Sequence, residues 1–571
     1  MLLTRRLLFS LPSRSLSSAS TFFPSPQFID ALTSLSSLHS ATSSPSSFGS
    51  PSPSPLPSTP APTAARNLVS SYTSLSTSEK NQFLTRLSST FSLDNSKLTS
   101  LLSSYTSMDT TSNLLLSRYA SKLRAACVPR HESVFSAVLS HGPSDGMAFI
   151  VDLRADLIRH IAAESSPSSS SSPETVASLR SLNASLRQLL SSWFSPGMLE
   201  LRRITYEGSS AAIVEKIAFE EAVHPIRSLK DLRCRLGNGR RCFGFFHPSL
   251  PNEPLVFVHV ALMPSLTRTM SEINFSPEAL TPPDESLATS AIFYSINSTQ
   301  TGLAGVDLGN ALIKRVASQL HSTLPNLTVF STLSPVPGFG KWLRVRAGGG
   351  LDGTKFEASE EEIFGGLGED FGAFAGAKKV RWWRRGSFSR RFWRKGFLKL
   401  VSSSWFPFLL SSPLFLVHGI ILSLHPLTLP SILIFSLFSI ACSFPTLQGT
   451  RVKALLSILE NDDSAATPWH ESEETAAALE PVLTRLVARF LCVEKHRGRP
   501  VDGVAKFHLG NGAELHRVSF LADPSAKRMR QSYGVMVNYL YGGEEDVMGN
   551  VGRFQEGEVV RSGEVDGFLG N

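Results

Sequence analysis

The sequence predicts an α+β protein in two parts, a helical first part followed by a region of mixed strands and helices. Three observations lead there. Apolar residues recur at helical spacing through much of 67–196. Strand-like runs alternate with glycine turns after Gly197. Residues 291–339 then read, in order, as strand, glycine loop, helix, strand and hydroxyl-rich loop. A length of 571 residues with 42% hydrophobic content is enough for at least two domains with cores of their own.

Taken from the start, residues 1–23 carry Arg5, Arg6 and Arg14 among Leu, Phe and Ser, and the first acid is Asp30. Basic, hydroxylated and acid-poor, this is the composition of an organellar transit peptide, and the apolar run at 7–11 is short for a secretory core. The mitochondrial matrix is the expected destination, with plastid, peroxisome and cytoplasm as alternatives. The closing Leu569, Gly570 and Asn571 are not a Ser-Lys-Leu peroxisomal address. Residues 41–65, nearly all Ser, Pro, Ala and Thr, read as a linker that cannot order itself, so 1–65 is assigned to leader and linker.

Residues 66–196 are read as an all-helical domain. Leu84, Leu87 and Phe91 share one helix face, and Leu179, Leu182, Leu186, Leu189, Leu190 and Trp193 another. The most strongly patterned piece is GMAFIVDLRADLIRHI from Gly146, in which Arg154 and Asp156 read as a solvated face or a structural ion pair, with a functional charge pair as the alternative. The Ser/Pro run at 165–173 is an exposed connection.

From 197 onward, 201–206 and 255–262 are strand-like, with a helix at 213–223 between them. Arg240 and Arg241 follow the turn Gly237-Asn238-Gly239 and read as surface residues, with phosphate binding as the alternative. His224, His247 and His259 lack companions at metal-ligand spacing and read as structural imidazoles. In 291–339, Gln300 to Gly305 interrupts a strand expected at 291–297. Leu308, Leu312, Ile313, Val316, Ala317 and Leu320 then make one face of a helix with Asp307 in its first turn. A glycine loop at a helix N-terminus offers unpaired N–H groups and a positive dipole end to an anion such as phosphate or pyrophosphate; the alternative is an ordinary tight turn. It lacks the Lys-Ser/Thr ending of a P-loop. A second strand is expected at 327–330, leaving Ser331 to Phe339 as a loop.

Residues 452–491 resume helical spacing. Residues 504–541 read as strands and turns, with a tight turn at Gly510-Asn511-Gly512 and a late strand at 535–541. Ahead of both, after the 291–339 stretch, lies an atypical insertion, 378–449. Its first part, 378–399, holds ten Lys/Arg and no acid, so the rest of a chain with net charge +8 is close to neutral. A nucleic-acid partner is therefore not expected. Residues 401–448 carry no charge but are broken by Pro407, Pro413, Pro426, Pro430 and Pro445. They fit either a membrane hairpin or, better, translated intron in a faulty gene model, since no amphipathic period is present. Cys127, Cys234, Cys242, Cys442 and Cys492 show no CxxC spacing and read as reduced thiols.

Several long blocks in one order carry a resemblance: the 291–339 stretch, HPIRSLKDLRCRLG from His224, RRCFGFFHPSLPNEPLVFVHVAL from Arg240, EKHRGRPVDGVAKFHLGNGAELHRVSFLADPS from Glu494, and GVMVNYLY from Gly534. Together they resemble the malonyl-CoA decarboxylase family, in which an all-helical domain precedes a catalytic domain similar to GNAT-type acyltransferases. The resemblance implies that 197–571 is that GNAT-like domain and gives no place to a membrane span at 401–448. It implies the substrate malonyl-CoA, no cofactor, homo-oligomers formed through the helical domain, and a place in fatty-acid metabolism. The family's SLSP motif reads Ser331-Thr332-Leu333-Ser334-Pro335 here and its FHLxNG motif Phe507-His508-Leu509-Gly510-Asn511-Gly512, which carries the catalytic serine to Ser334 and the proton-donating histidine to His508. Ala304, Gly305, Val306, Asp307, Leu308, Gly309 and Asn310 match its acyl-CoA loop, with Asp307 where the family has glutamate, and Ser295 matches a further active-site hydroxyl. The thioester carbonyl is itself the electron sink for decarboxylation, which fits the lack of a metal motif. The alternative functions are an acyl-CoA-dependent acyltransferase on the same fold and a membrane-held scaffold with a dead site.

Overall fold

The computed structural model describes residues 61–106, 112–141, 145–167, 169, 171–273, 284–347, 450–460 and 468–570. The leader expected at 1–23, most of the linker, the insertion at 378–449 and Cys442 lie outside the described residues. The described parts fall into two compact units. One draws on 1–227, 242–258 and 296–316, the other on 228–241, 259–295 and 317–571.

The first unit begins with helices α1 (Ala61–Thr73), α2 (Thr77–Thr90), α3 (Asn95–Thr106), α4 (Asn113–Ala126), α5 (Arg130–His141), α6 (Gly146–Glu164) and α7 (Pro173–Trp193). Helix α1 takes in residues 61–65, which composition assigned to the linker. Pro62 falls in the first turn, where its missing N–H costs nothing, and Ala64 and Ala65 are small enough to be fully buried. Helix α2 is fixed at its start by a reciprocal capping box between Ser76 and Glu79. Tyr72 packs edge-on against Phe83 and Phe149 at 5.4 Å from each, tying α1, α2 and α6 into one core. On α7, Leu179, Leu182, Leu186 and Leu190 are buried, but Trp193 is 38% exposed, so the buried stripe ends one turn earlier than the spacing suggested. Helix α8 (Ala211–Glu220) completes this unit's helices before the glycine loop.

The strands are β1 (Glu200–Ile204), β2 (Arg240–Phe246), β3 (Val256–Met263), β4 (Ser290–Ser298), β5 (Val329–Thr332), β6 (Ser334–Pro335), β7 (Lys495–His496), β8 (Arg499–Pro500), β9 (Glu514–Ser519) and β10 (Met536–Tyr541). Their order in the main sheet is β1-β2-β3-β4-β5-β10-β6, with β9 also on β10, and β7 and β8 form a separate small hairpin. In the second unit β4 and β5 are parallel, as a strand–helix–strand crossover requires, and β10 runs antiparallel to β5, β6 and β9. Ile292, Tyr294, Leu333, Met536 and Ala261 make one apolar cluster there with Met270 and Ile273.

Helices α9 (Leu229–Arg235), α10 (Met270–Ile273), α11 (Leu308–Thr323), α12 (Phe339–Ala347), α13 (Thr450–Glu460), α14 (Glu473–Cys492), α15 (Gly503–Gly510), α16 (Ala526–Ser532), α17 (Glu544–Gln555) and α18 (Gly563–Leu569) complete the described elements. Three expectations change. Residues 504–541 are not all strand and turn, because α15 and α16 lie within them; Asp502 caps α15, and Ala505, His508 and Leu509 are buried at helical spacing. The strand expected at 327–330 runs instead over Val329–Thr332, and Ser334 belongs to a short strand paired with β10 rather than to an open loop. Arg240 and Arg241 are buried: Arg241 pairs with Glu285 at 2.6 Å, and Arg240 donates to the carbonyls of Gly239 (2.7 Å) and Ile273. Of the described cysteines Cys242 and Cys492 are buried, whereas Cys127 is exposed. Among the described residues no helix is long and apolar enough to cross a membrane.

The Gly510-Asn511-Gly512 turn joins α15 to β9. Gly512 has φ +86°, and a Cβ there would stand 2.3 Å from the Val547 carbonyl oxygen. Gly512→Ala is expected to cost about 2–4 kcal/mol, from left-handed backbone strain plus the backbone clash. A urea midpoint unchanged from wild type would contradict this.

Candidate active site

Ser334 is placed by the way β5 ends. The parallel pairing of β4 with β5 runs from Ser290↔Val329 to Phe293↔Thr332, and the Leu333 N–H donates to the Phe293 carbonyl at 3.2 Å. Ser334 and Pro335 then pair with Val537 and Met536 of β10. Pro335 tolerates this because a terminal two-residue strand asks little of its missing N–H. The Ser334 side chain is buried and donates to Thr332 Oγ1 at 2.9 Å, while Thr332 Oγ1 also accepts the Tyr539 N–H at 3.3 Å.

His508 reaches the same place from α15. Asp502 caps this helix, accepting the N–H groups of Val504 (2.9 Å) and Ala505 (3.0 Å) on one oxygen, and its other oxygen accepts the Gly338 N–H at 3.3 Å. One buried carboxylate thus ties the histidine's helix to the chain just after the serine. Burial raises the Asp502 pKa, against the opposing effect of those three amides. The His508 ring stacks on Tyr539 at 4.7 Å and 23°; its Nε2 lies 3.2 Å from Ser334 Oγ and its Nδ1 2.9 Å from the Tyr541 hydroxyl. Tyr539 and Tyr541 are two residues apart on β10 and so present to one face, next to a register shift between β9 and β10 at Asn538/Tyr539.

These contacts define a direction for the protons. Burial raises the Tyr541 pKa, with the nearby Asn511 amide opposing it, so the phenol keeps its proton and has it to offer to Nδ1, 2.9 Å away. With the phenol donating, Nδ1 is the acceptor and Nε2 carries the imidazole proton, facing a serine whose own hydroxyl proton is given to Thr332; the opposite tautomer would put Nδ1–H on the phenol oxygen. Desolvation lowers the His508 pKa from 6.5 to about 3, so the ring is neutral in the free protein. The site can hold one proton on Nε2 beside a buried hydroxyl, shielded from bulk water.

The other residues singled out from sequence are more dispersed. Ser295 is buried on β4, two positions past the Phe293↔Thr332 pair. His224, His247 and His259 are buried, the last two at 2% and 0% exposure, and His247 packs on Phe194 at 4.8 Å. Residues 304–310 belong to the first unit. There Thr301–Leu303 form a 3-10 turn, Gly305 has φ +78°, and Asp307 stands exposed one residue before α11 rather than in its first turn, accepting from Asn310 at 3.4 Å. Arg154 is not paired with Asp156. It is buried and donates to the Gly302 and Ala304 carbonyls, whereas Asp156 accepts from Tyr72 (3.0 Å) and meets Lys80 (3.2 Å) and Arg159. Tyr541, Tyr539, Thr332 and Asp502 were not singled out from sequence. The alternation of two tyrosines on a predicted strand, and an aspartate just ahead of a helical triplet, were the signals that could have found them.

A helical domain ahead of a mixed sheet, with a buried hydroxyl–imidazole–phenol chain, is the arrangement of an enzyme that moves a proton in a dry site. Comparison with known proteins narrows the class. Residues 91–194 match the model of the malonyl-CoA decarboxylase N-terminal domain, and 197–371 with 431–571 match that of the malonyl-CoA decarboxylase C-terminal domain, which leaves 372–430 outside both. The mitochondrial malonyl-CoA decarboxylase of Rattus norvegicus is 31% identical over 492 residues, covering 85% of this chain and 82% of the relative. That of Anser anser anser is 32% identical over 420 residues, covering 74% of this chain and 65% of its own length, just under two thirds. The crystal structure of malonyl-CoA decarboxylase from Agrobacterium vitis aligns with TM-score 0.66 at 29% identity, covering 95% of this chain and all of that one. That from Rhodopseudomonas palustris aligns with TM-score 0.64 at 28% identity, covering 96% and 94%. The chain belongs to the malonyl-CoA decarboxylase family.

The depressed His508 pKa has a consequence for stability. Between 6.5 and about 3 the unfolded histidine binds a proton that the folded one does not, so stability is lost as pH falls through that window. The slope contributed is about 1.4 kcal/mol per pH unit. His131, lowered by burial to about 4, adds a slope of the same sign. His508→Gln is expected to show a shallower loss of urea stability between about pH 6.5 and 5 than wild type; identical slopes would contradict a buried neutral imidazole.

Proposed function

We propose that this chain decarboxylates malonyl-CoA to acetyl-CoA and carbon dioxide, with Ser334 and His508 handling the carboxylate and the proton. The observation that carries the reading is the buried Tyr541–His508–Ser334 hydrogen-bond chain, formed at the two positions that match the family's motifs.

In the reaction the bond between C2 and the carboxylate carbon breaks, its electron pair passes into the thioester as an enolate, and carbon dioxide leaves. C2 then takes a proton. Ser334 hydrogen-bonds the departing carboxylate, and His508 delivers the Nε2 proton to C2, directly or through the serine hydroxyl. A neutral imidazole is a weak acid, and the substrate supplies the correction: a carboxylate brought beside the ring offsets the desolvation that lowers its pKa and favours the imidazolium, formed by uptake of one proton from solvent, so that giving the Nε2 proton to C2 returns the ring to neutral. The dry surroundings strengthen both interactions. Tyr541 donates to Nδ1 while the ring is neutral and turns its phenol oxygen to accept Nδ1–H in the imidazolium, so Nε2 carries the transferable proton in both states.

Residues 304–310 are read as the coenzyme A loop, with the Gly305 and Gly309 backbone and the α11 dipole meeting phosphate. Asp307, one methylene shorter than glutamate, serves at the helix start rather than in proton transfer. Ser295 is a further hydroxyl for the acyl group. The mitochondrial names of the animal relatives support a matrix enzyme of malonyl-CoA and fatty-acid metabolism. A homo-oligomer is proposed on the family resemblance, and the insertion 378–449 is read as an intrusion that the chemistry does not use.

Release of labelled carbon dioxide from carboxyl-labelled malonyl-CoA, without any acceptor, tests the reading. His508→Ala and Ser334→Ala are each expected to lower kcat by roughly 10²–10⁴-fold, and Tyr541→Phe by roughly tenfold through loss of one hydrogen bond to the ring. Acyl transfer to an amine with no carbon dioxide released would replace the decarboxylase reading with an acyltransferase.

A further inference from the structure

We propose that Arg154, on helix α6 of the helical domain, is a positioning residue for substrate binding: it fixes the glycine loop so that the Gly305 amide N–H is left to donate to the coenzyme. The inference rests on the reading of 304–310 as the coenzyme A loop.

Arg154 is 2% exposed, and the contacts of its guanidinium are to neutral groups. Nε donates to Asn183 Oδ1 at 3.0 Å, one Nη to the Gly302 carbonyl at 2.5 Å and the other to the Ala304 carbonyl at 2.7 Å. Burying a cation against neutral partners is costly, so this arrangement contributes shape rather than charge pairing. The rigid guanidinium fork sets two carbonyls two residues apart in one fixed relation.

The peptide plane carries that constraint forward. In a trans peptide the carbonyl of one residue and the N–H of the next point in opposite directions, and cis bonds are absent among the described residues. With the Ala304 carbonyl drawn to Arg154, the Gly305 N–H is turned away from α6. Its neighbours are already used: Leu303 N–H donates to Gln300 (2.9 Å), Ala304 N–H to Thr301 (3.1 Å) and Val306 N–H to Leu303 (3.0 Å). Gly305 N–H meets no acceptor among the described residues. Its φ of +78° makes glycine the residue that holds this plane without strain.

Two further contacts show how closely the loop is seated. A Cβ on Gly302 would lie 1.9 Å from the Val151 carbonyl oxygen, so the loop rests on the backbone of α6 with no room for a side chain. A Cβ on Gly305 would meet the exposed Arg187 stem of α7 at 3.4 Å, placing a second guanidinium beside the unused amide.

Steady-state kinetics of the full chain on two substrates test this: malonyl-CoA, and malonyl-N-acetylcysteamine, which keeps the thioester and lacks the coenzyme's phosphates. Arg154→Met is expected to raise KM for malonyl-CoA roughly tenfold with kcat within about twofold. Its kcat/KM on the truncated thioester should equal that of wild type, and Arg154→Lys should recover part of the loss. An equal fall on both substrates would mean that Arg154 merely holds the fold, and would overturn the proposal. Should Arg154→Met fail to fold, Asn183→Ala, which removes only the acceptor of Nε, is expected to raise KM in the same substrate-selective way by roughly threefold; an unchanged KM would overturn the proposal. Failure of the underlying loop assignment looks different, because wild type itself would then use the two substrates equally well.

Discussion

Enclosing an imidazole with both ring nitrogens engaged sets the conditions for much of the second unit. His508 sits under Tyr539, with Ser334 on one nitrogen and Tyr541 on the other, and a ring so placed is neutral because its charged form has lost its water. Each neighbour must then come from a rigid element. Two phenols come from one face of β10, the hydroxyl from a short strand paired to β10, and the imidazole from a helix whose start is fixed by Asp502. Asp502 joins these parts, since the carboxylate that starts the helix also binds the Gly338 amide four residues beyond the serine. Side chains held by packing and by hydrogen bonds of their own are what a site needs to keep catalytic geometry.

In the first unit, the glycine loop is held by the helical domain. Val151 and Arg154 of α6 meet its backbone directly, and what they control is the direction of peptide planes rather than the position of any side chain. The N-terminal helices thus seat the backbone of this loop as well as packing among themselves.

Legibility in the sequence followed the range of the interactions. Helices α6, α7 and α11 stood out because a single amphipathic period spans each of them, and strand β4 because aromatic and β-branched residues run over a strand's length. Ser334 and His508 were reachable only through resemblance in the motifs around them; 174 positions separate them, and no local pattern encodes a contact between them. His508 was expected among strands and turns because α15 is only two turns long, too short for periodicity to outweigh the glycines at both of its ends. Arg240 and Arg241 looked like surface residues because two charges after a Gly-Asn-Gly turn usually are, yet Glu285 and the Gly239 and Ile273 carbonyls, distant in sequence in two of three cases, let them be buried. The same reason hid the Arg154 contacts: the partner weighed from sequence was Asp156, whereas Asn183 lies 29 residues away and the Gly302 and Ala304 carbonyls about 150.

The state of the His508 ring is the point on which the account turns. Imidazole nitrogen NMR of ¹⁵N-histidine-labelled protein, with His508 assigned by comparison with His508→Gln, measures it directly. A neutral ring with its proton on Nε2 is expected near pH 6 in the free protein, moving toward imidazolium when a non-cleavable malonyl-CoA analogue binds. An imidazolium in the free protein at that pH, or a proton on Nδ1, would contradict it.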